Sequence, residues 1–299
     1  AYTVSDQYPY STYTEIEYDG VRRNINYIRN SVKVIVNAYD GDITFYITDR
    51  NDPIIMAYLK LYPTIFSDYN RKEIPDEIKS QFKYPQFLYN VQSEMLMVYH
   101  NVKEDVLYRN SDIWEFTKYG TTSSKSKTSI LKPYYAMIKT PNSDEPEFGL
   151  VQMYTQNEKS NIISYLVGTC NGTECKLKVY KYPTDSNILG PIQLDNQISQ
   201  DETISAELES INVTGSKISK EMKMIPIDNS ILYVETIYQT MTNEPNQTTT
   251  LKKVVVASGT KVAIGDSLKE AITNLLSQSA VNIEITNTED IEGLIDAII

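Results

Sequence analysis

Residues 217–238 read KISKEMKMIPIDNSILYVETIY. Lys217 to Ile225 alternates polar with apolar residues at the period of two that a strand requires, and Ile231 to Tyr238 is rich in β-branched and aromatic residues. Pro226-Ile227-Asp228-Asn229-Ser230 between them carries residues that reverse a chain, so the stretch reads as an antiparallel hairpin. The same figure recurs on both sides. Tyr134 to Thr140 and Phe148 to Tyr154 flank a Pro/Asn/Ser/Asp turn, and Ile162 to Gly168 and Lys176 to Tyr182 flank Cys170-Asn171-Gly172-Thr173-Glu174-Cys175. Leu251 to Ala257 meets Lys261 to Ile264 across Ser258-Gly259-Thr260. Near the start, Val32, Val34, Val36 and Ala38 alternate toward Asp40-Gly41, after which Ile43, Phe45 and Ile47 alternate in turn. Successive hairpins predict an α+β fold, mainly antiparallel β-sheet with several peripheral helices.

Helices interrupt the strands. Asp52-Pro53 supplies an N-cap followed by proline at the first helical position, opening a short helix from Ile54 to Tyr62. Phe87, Leu88, Val91, Met95 and Val98 recur at helical spacing between Pro85 and Tyr99. Two more helices are expected at Gln200 to Ile211 and at Ser267 to Leu276, the latter opened by a capping-box spacing from Ser267 to Glu270. A last amphipathic helix is expected from about Thr288, with Ile291, Leu294, Ile295 and Ile298 on one face, and the chain reads as truncated inside it. The polar run Thr121 to Ser129 has linker composition. It suggests an N-terminal α+β part, residues 1–130, and a hairpin-rich part with C-terminal helices, residues 131–299, or one continuous domain.

Composition narrows the function classes. With 299 residues, 41% hydrophobic and 22% charged, the chain can bury a core. A net charge of -11 is the wrong sign for neutralising phosphates or adsorbing on anionic lipid, so no nucleic-acid partner is expected. Apolar runs such as Ile54-Ile55-Met56-Ala57 are too short to span a bilayer. One histidine and two cysteines exclude the common four-ligand zinc sites, so neither a metal nor a cofactor is expected. Any Ser/His/Asp triad would depend on His100, which stands at the end of the Pro85–Tyr99 helix, where the macrodipole favours it.

Cys170 and Cys175 bracket an Asn-Gly turn and so lie close in space. Outside the cytoplasm they would form a disulfide, and in a reducing cell they would be free thiols. Tyrosine, at 24 against 6 phenylalanines and 1 tryptophan, either fills half-buried strand positions or makes a sugar- or protein-binding face. Tyr8 with Tyr10 and Tyr134 with Tyr135 are pairs that could form one. The carboxylate pairs Asp40 with Asp42, Asp49 with Asp52, and Asp201 with Glu202 fit turn and cap roles, and lack EF-hand spacing. Asn171, Asn212 and Asn246 begin glycosylation-type triplets, a pattern that an Asn- and Thr-rich chain produces cheaply.

Ala1-Tyr2-Thr3-Val4-Ser5-Asp6-Gln7-Tyr8-Pro9-Tyr10-Ser11 resembles the A-Y-T-x-S-x-x-Y-P-Y-S signature of the UPF0182 family of large bacterial membrane proteins. The resemblance continues through Asn26 to Lys33, Asn37 to Gly41, Tyr84-Pro85, Val91 to Met95, Tyr99-His100, Tyr180 to Pro183, Gly190-Pro191 and Ile225 to Glu235. It implies parentage: several transmembrane helices followed by a large extracytoplasmic region, of which this chain is similar to the C-terminal part. The expected partners are then the parent's own transmembrane segments and an envelope component or protein, and the expected location is the outer side of the cell membrane. The resemblance carries no catalytic residue. Its polar signature residues Ser5, Asp6, Tyr8, Tyr10, Asn26, Tyr27, Arg29 and Asn30 form the candidate binding surface, with turn and cap chemistry as their alternative role. The leading expectation is a non-enzymatic extracytoplasmic binding module. The alternative is a carboxylate-dependent envelope glycan hydrolase, whose two acids would come from distant loops.

Overall fold

A computed structural model of the chain describes residues 1–66, 74–119, 129–141, 145–227, 230–242 and 248–278. Two units emerge, one of residues 1–95 with the insertion 168–176, the other of residues 96–167 with 177–299.

In the first unit, β1 (Thr3–Ser5) pairs antiparallel with β4 (Tyr27–Arg29), Thr3 standing opposite Arg29. Between them β2 (Thr14–Tyr18) and β3 (Val21–Ile25) form a hairpin whose turn residues, Asp19 and Gly20, both have positive φ, the primed-turn geometry that matches strand twist. The predicted hairpin of β5 (Val32–Val36) and β6 (Ile43–Ile47) follows, Val36 opposite Ile43. Helix α1 (Pro53–Leu61) begins where the Asp-Pro pair placed it, and α2 (Asp76–Lys79) and α3 (Gln86–Tyr99) complete the set. Val32, Ile55 and Phe66 are buried together against Phe45, Ile47, Met56 and Leu59, so the β5–β6 hairpin and α1 share one core.

The second unit starts within α3 and continues through α4 (Glu104–Arg109), β7 (Trp114–Phe116), β8 (Lys118–Tyr119) and β9 (Ser129–Ile130). Next come β10 (Tyr134–Ile138), β11 (Glu147–Gln156), β12 (Ile162–Asn171) and β13 (Glu174–Lys181), in sheet order β10-β11-β12-β13. β7 pairs with the far end of β11, Trp114 opposite Gln156. The tip of the β12–β13 hairpin, residues 168–176, belongs to the first unit. A second sheet, β14 (Ser216–Ile227), β15 (Ser230–Met241), β16 (Thr249–Ser258) and β17 (Lys261–Gly265), is wholly antiparallel and contains the hairpin predicted at residues 217–238. One of its faces, with Met222, Met224, Tyr233, Ile237 and Val255, packs on Val151 and Val167 of the first sheet and on Leu194 and Ile198. The other, with Leu232, Val234, Val254 and Val256, is covered by Ala271, Ile272 and Leu275 of α7 (Leu268–Ser277). A strand buried on both faces explains the near-continuous apolar run of β15.

The predicted Gln200–Ile211 helix is preceded by one that was not predicted. Pro191–Gln200 forms α5 and Glu202–Ile211 forms α6, with Asp201 capping the end of one and accepting from the Ile204 N–H at 2.9 Å at the start of the other. The helix expected from Thr288 and the linker residues 121–128 lie outside the described residues. Among the described residues no helix is long and apolar enough to cross a membrane.

Candidate functional site

Asp52 organises the site in the first unit. As the N-cap of α1 its carboxylate accepts from the Ile54 N–H at 3.0 Å. It also takes the Tyr27 hydroxyl at 2.8 Å, the Thr3 hydroxyl at 2.5 Å and the Ser31 hydroxyl, and it is fully buried. Burial alone would raise this carboxyl, but the bonds from Ser31, Thr3, Tyr27 and Ile54 outweigh it and hold the group below the usual carboxylate value. Burial and the bond to Asp52 push the Tyr27 phenol up to about 12. Three strand and loop segments are thereby tied to the start of one helix.

Beside this knot lies a pocket of about 650 Å³, lined within the first unit by residues of β4 and the β4–β5 turn, the β6–α1 loop, α3 and the hairpin tip. Arg29 and Asp49 form an ion pair in its wall at 2.9 Å, and the Asn51 N–H completes the Asp49 carboxylate at 3.0 Å. Lys33 donates to the Asn30 side-chain oxygen at 2.5 Å and stands 5.2 Å from the centre of the Phe82 ring. Burial lowers its pKa. Tyr84 donates to the Gln92 amide oxygen at 2.7 Å, while Ile28, Pro85 and Leu88 supply apolar wall. Cys170 and Cys175 are joined in a disulfide across the tip, Cα to Cα 4.0 Å, and Thr173, Glu174 and Cys175 line the same pocket. The tip can approach because Gly168 has no Cβ; one there would stand 2.9 Å from both the Tyr84 and Tyr89 rings.

The eight signature residues separate into two groups. Arg29 and Asn30 line the pocket and Tyr27 reaches Asp52 beside it. Ser5, Asp6, Tyr8, Tyr10 and Asn26 do local work: the Ser5 hydroxyl accepts from the Gln7 N–H, the Asp6 carboxylate from the Gln7 side chain, and the Asn26 amide pairs with both backbone groups of Tyr8. Tyr8 stacks on Tyr27 with ring centres 5.4 Å apart, and Tyr10, at positive φ, is wholly exposed. Tyr134 and Tyr135 form no common face. The Tyr134 hydroxyl bonds both backbone groups of Met224, and Tyr135 stacks on Phe148. Lys33, Asp49, Tyr84 and Gln92 were not singled out from the sequence as site residues. Asp49 appeared there only as half of a carboxylate pair.

In the second unit, His100 stacks on Trp114 with centres 3.7 Å apart, and its ring nitrogens face the Leu96 carbonyl and the Asp112 carboxylate, each at 3.1 Å. Both nitrogens are engaged, which leaves none to activate a serine. Among the described residues no cluster of three or more His, Cys, Asp or Glu side chains is placed to hold a metal.

The sequence model of a family described as "Uncharacterised protein family (UPF0182)" matches residues 1–211. The chain is similar to UPF0182 proteins of Microcystis aeruginosa, 37% identical over 281 residues, and of Synechocystis sp., 38% identical over 276. It is also 35% identical over 285 residues to one of Caldicellulosiruptor saccharolyticus. These alignments cover 93%, 91% and 95% of the chain but 28%, 26% and 30% of the relatives, so the chain spans less than a third of their length. No solved structure gives a significant match.

Proposed function

This chain belongs to the UPF0182 family, and on that premise we propose that it is an extracytoplasmic binding module, tethered by transmembrane segments of its parent, that holds a saccharide of the cell envelope without transforming it. The observation that carries the reading is the pocket of the first unit. Its volume of about 650 Å³ falls in the range of roughly 300–1,000 Å³ typical of small-molecule sites. Amide, hydroxyl and charged groups converge there on an apolar strip, the mixture that a sugar ring with polar edges and C–H faces requires. A disulfide in the wall supports placement in an oxidising compartment. Binding is favoured over hydrolysis because the two lining carboxylates are each held by a cation: Asp49 by Arg29 at 2.9 Å and Glu174 by Lys176 at 3.1 Å.

Two experiments test this. Saturation-transfer NMR of the chain against peptidoglycan fragments and envelope polysaccharides, with and without calcium, is expected to give signal for at least one saccharide, no released product, and loss of signal in Arg29→Ala. Silence across the screen, or turnover, overturns the reading. Protease shaving of cells expressing the full-length protein is expected to cut within this chain without lysis, and protection until lysis overturns the placement.

A further inference from the structure

We infer that the pocket takes an acidic saccharide, one bearing a carboxylate or a phosphate, and that Lys33 is the residue that recognises the charge. This rests on the binding reading above and adds the ligand class to it.

The inference follows from which polar atoms of the wall already have partners. Several of the acceptors are occupied. Asp49 takes Arg29 and the Asn51 N–H, Glu174 takes Lys176, and the Gln92 amide oxygen takes the Tyr84 hydroxyl. Asn30 is used at both ends, its oxygen by Lys33 and its nitrogen on the Ala1 carbonyl at 2.9 Å. Among the described residues no partner takes two protons of the Lys33 ammonium, the remaining N–H groups of the Arg29 guanidinium or the Gln92 amide N–H₂, so the wall offers donors. A wall of open donors fits an acceptor-rich ligand, and a full anion fits it best.

Charge points the same way. The pocket lining contains Arg29, Lys33, Asp49 and Glu174. Both carboxylates are neutralised by neighbours, and among the described residues no carboxylate pairs with Lys33. Its ammonium is half-buried, one bond is fixed by Asn30, and the Phe82 ring lies beside it. The lowered pKa of Lys33 reflects the water the cation has lost, which an anion in the pocket would replace. Orientation comes from the scaffold. Lys33 stands on β5 three residues after the Asn30 that holds it, and Arg29 is fixed by Asp49, so both side chains are held in the wall. Ile28, Pro85 and Leu88 leave room for the C–H face of the ring that carries it.

The test uses two matched pairs of probes titrated into the 299-residue chain: N-acetylmuramic acid against N-acetylglucosamine for a carboxylate, and glucose 6-phosphate against glucose for a phosphate. In at least one pair the acid is expected to bind about ten-fold more tightly, a difference of about 1.4 kcal/mol. That preference should shrink as salt rises from about 0.01 M toward 1 M, since the Debye length falls from about 30 to about 3 Å. The pair that responds identifies the oxyanion. Lys33→Gln should reduce the preference to about two-fold or less, while Lys33→Arg retains it. If Lys33→Gln melts early, Gln92→Glu, which puts a negative charge into the donor wall, should abolish the preference on its own. Equal affinity of acid and neutral sugar in both pairs, or a preference that survives both Lys33→Gln and Gln92→Glu, overturns the inference while the binding reading stands. Silence of all four probes, where another saccharide of the NMR screen binds, also overturns it. Silence of every saccharide overturns both.

Discussion

Lys220 of β14 and Glu235 of β15 meet diagonally across their ladder, Nζ 3.3 Å from Oε2, with the glutamate side chain 1% exposed. The register sets Lys220 opposite Ile237 and Glu235 opposite Met222, so both project onto the face that packs against the first sheet. Asp195 of α5 takes the same ammonium at 3.3 Å, and the Tyr119 hydroxyl donates to the other Glu235 oxygen at 2.8 Å. Two carboxylates therefore share one lysine in an apolar core. Removing the lysine leaves both buried charges uncompensated, so Lys220→Met is expected to cost about 3–5 kcal/mol. Glu235→Gln keeps the shape and most of the bonds and should cost about 1 kcal/mol. Urea unfolding of the two variants measures the contrast, and equal losses would contradict the shared-lysine arrangement.

The same network sets a pH dependence. Burial raises the Glu235 carboxyl above its ordinary value, with Lys220 and Tyr119 opposing only in part. The folded chain therefore binds this proton more readily than the unfolded chain, and stability falls as pH rises from 4.5 through the folded value. For Lys220 burial alone would lower the pKa, but Glu235 and Asp195 outweigh it and raise it above 10.5. That contribution is complete below 10.5 and is lost as pH climbs through the raised value. Thermal melts from mildly acid to neutral pH should show a flatter profile for Glu235→Gln than for the parent chain.

Asp52 acts with the opposite sign. Its carboxyl is held below the ordinary 3.8, so the stability it adds is present above 3.8 and is lost as pH falls through the folded value. Asp52→Ala deprives three hydroxyl donors and a helix N-terminus of their acceptor and should cost about 2–4 kcal/mol. Asp52→Asn should cost less but lose the acid-side slope, a difference that denaturant titrations at two acid pH values can resolve.

Features set by neighbours in sequence were legible and those set by distant partners were not. The β5–β6, β10–β11, β12–β13, β14–β15 and β16–β17 hairpins follow from alternation around short turns, which is local information. The Asp52 cap was readable from Asp-Pro for the same reason. Thr3, Tyr27 and Ser31 were not visible as its partners, since they lie 49, 25 and 21 residues away and are brought to it by strand pairing. α5 was missed because Gly190-Pro191 reads as a break, although proline at a first helical position and Leu194 with Ile198 four apart are helix signals. The pocket was not legible because it depends on which atoms of Asp49, Gln92 and Glu174 already have partners, which side-chain positions decide and residue types do not.

The Cys170–Cys175 bridge closes a loop of only about six residues, so the chain-entropy model limits its contribution to about 2 kcal/mol. Replacing both cysteines by serine should lower stability by no more than that and leave the second unit's sheets intact by circular dichroism. Because Cys175 lines the pocket, the same double variant should weaken saccharide binding more than it weakens folding. A variant that melts early but binds normally would place the tip outside the binding surface.

Gly190 precedes α5 at an ordinary φ of -85°, so its requirement is space, not backbone freedom. A Cβ there would stand 1.9 Å from the Ser160 carbonyl oxygen and 3.0 Å from its carbon. That backbone is held in place from several directions. The Ile162 N–H bonds the Ile188 carbonyl at 3.0 Å, the Asn161 side chain bonds Asn187 and Gln193, and Gln193 returns to the Gly190 N–H at 2.8 Å. An added methyl cannot be absorbed by a flexible side chain, and either α5 or the β11–β12 connection must shift. Gly190→Ala is therefore expected to cost about 2–4 kcal/mol. Gly259, at φ +59° with nothing within 4 Å of a built Cβ, provides the contrast. Alanine there should cost only the left-handed backbone penalty, about 1–2 kcal/mol. Melting temperatures in the reverse order would mean that the α5 connection yields to accommodate a side chain, and that the hydrogen bonds around Ser160 do not fix it.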